Sequence, residues 1–132
     1  MKLSSEVKDV MSKVRIYPVA TASKDGVPNV VPIGFVIPRD DETIWIIDNF
    51  MDKSLKNVKE NPVIALYAWD PDSPNSYQIK CSVKVANSGP EYEEAVKIAH
   101  SKKETYPAKN LFILKVTDVF YVTPGPNAGK KL

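Results

Sequence analysis

Residues 16–37 read IYPVATASKDGVPNVVPIGFVI, and the fold turns on how they are read. Two apolar runs flank Lys24-Asp25-Gly26, a polar triplet ending in glycine, which is the pattern of a turn that reverses an extended chain. Ile16 to Ser23 therefore reads as a strand and Val27 to Ile37 as its return. Pro28, Pro32 and Pro38 punctuate that return strand. Proline has no N–H to give to a ladder, so the strand is expected to lie partly at a sheet edge or to bulge.

Asp40-Asp41 marks the next turn, and Thr43 to Asn49 reads as a strand. Its centre, Ile44-Trp45-Ile46-Ile47, is apolar on both faces and needs cover on two sides. Val63 to Trp69 and Leu111 to Val122 are further strands. Tyr77 to Ala86 alternates, with Ile79, Cys81, Val83 and Val85 facing one way and Gln78, Lys80, Ser82 and Lys84 the other. Three stretches have helical spacing: Ser4 or Ser5 to Lys13, Asp52 (as a cap) to Glu60, and Glu91 to Lys103. Asn61-Pro62 ends the second, and Gly89-Pro90 separates the third from the strand before it. Asp70 to Asn75 is a loop, and Pro124 to Gly129 is an irregular tail. The sum is about six strands and three helices in one domain spanning residues 1–132. No βαβ alternation with a Gly-rich turn occurs, which disfavours Rossmann and P-loop folds. The economical reading is mainly β, an antiparallel barrel with peripheral helices.

Composition narrows the function. A formal charge of +2, with lysines scattered among carboxylates, argues against a nucleic-acid partner. A single cysteine, Cys81, cannot form an internal disulfide, and with the single histidine, His100, it cannot build a zinc site within one chain. Cys81 falls on the apolar face of its strand and reads as a structural thiol. No apolar run reaches the roughly 20 residues that span a bilayer. The segment Met1–Met11 carries Glu6 and Asp9 and does not read as a signal peptide, so the cytosol is the expected location.

Chemistry concentrates in Asp48-Asn49-Phe50-Met51-Asp52-Lys53-Ser54-Leu55-Lys56-Asn57. A strand ends and a helix begins at a lysine and a serine. Helix N-termini present free N–H groups and a positive dipole end, which suit a phosphate. On the residues alone a capped surface helix with solvated lysines is the commoner structure, and both readings stand. The order of short motifs adds a resemblance. Val19-Ala20-Thr21-Ala22 leads into Asp25-Gly26-Val27-Pro28, then come Val31-Pro32-Ile33-Gly34-Phe35, Asp48-Asn49, Lys53-Ser54 and Glu60-Asn61-Pro62. This sequence resembles the pyridoxamine 5′-phosphate oxidase-like FMN-binding split barrels over nearly its whole length. The resemblance implies a six-stranded antiparallel split β-barrel with peripheral helices that binds FMN at the interface of a homodimer. It implies a cofactor site of Val31, Pro32, Ile33, Gly34, Asp48, Asn49, Lys53, Ser54, Tyr77 and Gln78. Lys53 and Ser54 would hold the phosphate, and the Val31–Phe35 backbone would run along the ring. Tyr77, Gln78 and the tail 124–129 are the candidates for the second subunit's contribution.

Two departures bear on activity. The oxidases proper carry a phosphate-gripping arginine in the second strand, and the corresponding position is read here as Val31. They also end in an arginine-rich substrate motif, whereas this chain ends Ala128-Gly129-Lys130-Lys131-Leu132. The resemblance therefore implies a flavoprotein that transfers hydride or electrons to or from a small molecule other than pyridoxamine phosphate, with catalytic side chains unassigned and no metal. A non-catalytic FMN-binding or electron-transfer protein, a cofactor-free interaction module and a deazaflavin-binding protein are the alternatives. Trp45 and Trp69 are expected in the core or an interface, with stacking on a flavin as the other possibility. His100 is expected at the surface, with haem ligation as the alternative that relatives of the fold raise.

Overall fold

The computed structural model describes residues 1–132. Helix α1 (Ser5–Lys13) begins at Ser4, whose Oγ accepts the Val7 N–H at 3.3 Å. Its apolar side, Val7, Val10 and Met11, is buried. Each such side chain stabilises the fold by about 1.5–3 kcal/mol through the water it leaves. The Tyr17 hydroxyl donates to the Met11 carbonyl at 2.7 Å and ties the helix to the first strand.

The strands are β1 (Tyr17–Ala22), β2 (Pro28–Ile33), β3 (Val36–Pro38), β4 (Thr43–Asp48), β5 (Val63–Ala68), β6 (Tyr77–Ala86) and β7 (Asn110–Tyr121). They form one sheet in the order β2-β1-β5-β6-β7-β4-β3, and every pairing is antiparallel. Seven strands stand where the sequence reads as six, because the return strand breaks at Gly34-Phe35. Its two halves pair with different partners, β2 with β1 and β3 with β4. They lie at opposite edges of the sheet. Three residue steps, from Ile33 to Val36, span at most about 11 Å. The edges must therefore come together, and the sheet curls into a split barrel whose seam is Gly34-Phe35. The three prolines fit this arrangement, since β2 and β3 are the two edge strands.

The barrel interior holds the larger core, in which Val7, Val10 and Met11 of α1 join Val19, Ile44, Ile46, Leu66, Ile79, Phe112 and Leu114. A second, smaller core lies outside the barrel, where Trp45, Ile47 and Leu111 meet Ala95 and Ala99 of α3 (Pro90–Lys102). The double-sided apolar run of β4 is thus covered on both faces within the one chain. Trp45 sits in this second core, with the Arg39 guanidinium 4.1 Å from its ring centroid, while Trp69 is exposed. Cys81 is buried, and burial pushes its thiol up to about 12, as expected of a structural cysteine. The tail is held down at its end: Lys131 bridges Phe120, and the Leu132 N–H donates to the Val119 carbonyl at 2.9 Å. No helix is long and apolar enough to cross a membrane.

Candidate functional site

A cleft of about 420 Å³ opens at the seam of the barrel. Its lining comes from Val31 to Phe35, from Ile47, from Asn49 to Ser54 and from Tyr106. The size falls in the range of small-molecule sites, roughly 300–1,000 Å³. One end is polar and the other apolar and aromatic.

The polar end is the start of α2 (Lys53–Glu60). Asp52 stands at the cap position but makes no side-chain cap bond, contrary to its expected role, so the first-turn N–H groups stay open. Lys53 is exposed and makes no ion pair with any carboxylate. Ser54 is buried, and its Oγ accepts from Asn29 Nδ2 at 3.1 Å while its own proton finds no acceptor in the chain. Asn29 also reaches Thr21 Oγ1 at 3.3 Å, and Asn57 Nδ2 donates to the same oxygen at 3.0 Å. This buried network locks α2 to β1 and β2. The β2 side chain that meets the serine is therefore Asn29, two residues from Val31. Open N–H groups, a free hydroxyl proton and a free ammonium make a donor set suited to a phosphate, with the exposed Asp52 carboxylate as the one opposing charge.

The turn that carries these groups rests on Asp48, which is fully buried. Its Oδ1 accepts the Met51 N–H at 2.8 Å, and its Oδ2 accepts from Asn110 Nδ2 at 2.9 Å. Lys109 Nζ lies 3.9 Å from Oδ1 and donates to the Met51 carbonyl at 2.9 Å. Asn49 Oδ1 accepts the Ala108 N–H at 2.9 Å, which fastens the α3–β7 loop to the same turn.

Backbone groups at the seam are also open. Pro18 faces Pro32 across β1 and β2, and neither has an N–H. That pair cannot be a hydrogen-bonded one, so alternation makes Tyr17–Ile33 and Val19–Val31 the bonded pairs. Val31 and Ile33 thus spend their backbone groups on β1, and the Pro32 carbonyl points off the free edge. The Gly34 and Phe35 carbonyls accept from Val36 and Ile47, but no hydrogen bond uses the Gly34 or Phe35 N–H. The expected backbone contact to a ring therefore narrows to Pro32, Gly34 and Phe35. A Cβ added at Gly34 would meet Ile16 Cδ1 at 3.6 Å and the Arg15 carbonyl at 3.8 Å, both ordinary contacts. Gly34→Ala is expected to leave stability within about 1 kcal/mol of the parent in urea unfolding. A larger loss would show that the seam needs the glycine for the fold.

Of the expected site residues, the seam brings together Val31, Pro32, Ile33, Gly34, Asn49, Lys53 and Ser54. Asp48 lies behind the wall and supports it. Tyr77 and Gln78 are not in the cleft of their own chain: Tyr77 is buried against Tyr121, and Gln78 lies on β6 opposite Tyr67 and Phe120. The tail folds back on β7 of its own chain. Phe35, expected to take part through its backbone, also lines the cleft, whereas Phe50, Tyr106 and Asn29 had no expected role in it. His100 is exposed, and its Nε2 lies 3.0 Å from the Tyr106 carbonyl.

Comparison with known proteins agrees with this fold. A family described as Pyridoxamine 5′-phosphate oxidase matches residues 3–123. An uncharacterized protein of Methanocaldococcus jannaschii is 35% identical over 133 residues, covering 98% of this chain and 87% of that protein. The crystal structure of Group A Streptococcus HupZ superposes with a TM-score of 0.82 at 27% identity, over 96% of this chain and 99% of that one. An FMN-binding protein from Syntrophomonas wolfei superposes with a TM-score of 0.76, over 92% and 86% of the two chains; at 17% identity the likeness is of the fold.

Proposed function

The chain belongs to the pyridoxamine 5′-phosphate oxidase family, and on that premise we propose that it is an FMN-binding flavoprotein that transfers hydride or electrons to or from a small molecule. One observation carries the reading: the seam cleft joins an open helix start bearing Lys53 and Ser54 to an apolar, aromatic-lined chamber with two free backbone N–H groups. That is the division a flavin mononucleotide has, a phosphate at one end and a flat ring with a polar edge at the other. The fold shared with an FMN-binding protein supports it. When bound, the flavin supplies the redox chemistry. The chain's own residues bind and orient: the α2 start and Lys53 hold the phosphate, and the Gly34 and Phe35 N–H groups meet the ring edge. Releasing the cofactor from purified protein by denaturation and weighing it tests the reading. A mass other than that of FMN, or no flavin after incubation with FMN, refutes it.

The site is proposed to be completed by a second subunit. The outer face of β2, β1 and β5 is apolar and uncovered: Val30, Val63 and Tyr67 are 64%, 49% and 44% exposed, and Trp69 continues the row. Val30 and Pro32 carry this face to the rim of the cleft. If FMN binds only the dimer, added FMN must tighten dimerisation. Sedimentation over falling protein concentration is expected to show dissociation at lower concentration when FMN is present. A monomer that binds FMN with undiminished affinity would rule out the shared site.

A further inference from the structure

We infer, resting on the flavin reading above, that Tyr106 is the partition between the cofactor cleft and a second groove, and that its ring sets the size of molecule able to reach the flavin. The groove is larger than the cleft, about 760 Å³, and has apolar walls that include Ile16, Ile37 and Ile98. The two cavities share three residues, Gly34, Phe35 and Tyr106. Gly34 has no side chain to separate them. The ring of Tyr106 stands edge-on to Phe35, with centroids 5.4 Å apart and planes at 90°, and edge-on to Phe50 at 6.3 Å and 68°. Phe50 is 76% exposed, so beyond this aromatic row lies open solvent.

The loop that presents Tyr106 is fixed at several points. His100 Nε2 meets the Tyr106 carbonyl at 3.0 Å, and the Tyr106 N–H donates to the Lys103 carbonyl at 3.1 Å. Two residues on, Ala108 takes a left-handed backbone, φ +43°. Its N–H is held by Asn49 and its carbonyl by the Tyr92 hydroxyl at 2.7 Å. A non-glycine residue in that conformation persists only where its surroundings enforce it. The Tyr106 hydroxyl, by contrast, makes no hydrogen bond in the chain; the side chain serves by the space its ring fills.

The test uses FMN-loaded wild type, Y106F, Y106L and Y106A, and reads collisional quenching of flavin fluorescence by acrylamide and by a bulky neutral nitroxide. The nitroxide quenching constant is expected to rise about threefold or more in Y106A, because a gap opens where packed atoms stood. The acrylamide constant is expected to change less, Y106F to match wild type, and Y106L to fall between. Unchanged nitroxide quenching in a Y106A protein that has taken up FMN overturns this inference alone, as does Y106F behaving like Y106A. Failure of wild type to take up FMN overturns the flavin reading and this inference with it.

Discussion

Lys53→Ala is expected to weaken FMN binding by about ten- to a hundredfold, the equivalent of one charge-assisted bond of about 1.5–3 kcal/mol. Lys53 is the one cation lining the cleft, and Asp52 beside it is the one carboxylate. Removing the ammonium leaves that carboxylate facing the phosphate unopposed, which places the effect toward the upper end. Riboflavin lacks the phosphate and should bind both proteins alike. The side chain is exposed and unpaired in the free chain, so its loss should not disturb folding. Titration with the two flavins, monitored by fluorescence, separates the possibilities. Equal weakening of both ligands would show that Lys53 supports the fold or the ring and does not hold the phosphate.

What the sequence made legible was local. The alternation in β6 and the helical spacing that ends at Lys13 depend on residues two to four apart, and both appear as read. Tyr77, expected to reach the second subunit's flavin, shares its parity with Ile79 and Cys81 and lies on the same buried face. The glycine and prolines of residues 28–38 signalled an interrupted strand. They could not say that its halves sit at opposite sheet edges, because that depends on pairing with β1 and β4. The strand count differed for this reason.

The cleft itself was half legible. Lys53 and Ser54 announce themselves at a helix start. Asn29 does not: its partners are 8 and 25 residues away, and nothing near it in the chain marks it. Tyr106 reaches the cleft from a loop between α3 and β7, so no periodicity points to it. The apolar run of β4 correctly signalled cover on two faces. It did not say whether a helix of the same chain or a partner supplies the cover, since both present the same apolar surface. The case for a second subunit consequently rests on β1, β2 and β5 and not on β4.

Asp48 joins fold and site most directly, and its removal is expected to have the largest effect on stability. Asp48→Ala strips the acceptor from the Met51 N–H and from the Asn110 amide, and removes the anion nearest Lys109. Met51 is nearly buried, so water cannot replace the lost partner freely. Leaving a buried donor unsatisfied costs about 1–3 kcal/mol; the Met51 N–H bears that cost in full and the half-buried Asn110 amide bears less, which brings the expected loss to about 2–4 kcal/mol. For a domain of this size that corresponds to a fall in Tm of roughly 10 °C. Asp48→Asn should cost less, because one carbonyl oxygen can still serve Met51 while its NH2 group opposes the amide of Asn110. FMN affinity should fall with stability in Asp48→Ala, since the Met51 anchor positions the turn that carries Phe50 to Lys53. Urea unfolding and flavin titration of the two variants measure both effects. Retention of full stability by Asp48→Ala would mean that Lys109 and Asn49 suffice to hold the turn, and the site would then owe its shape to the α3–β7 loop instead.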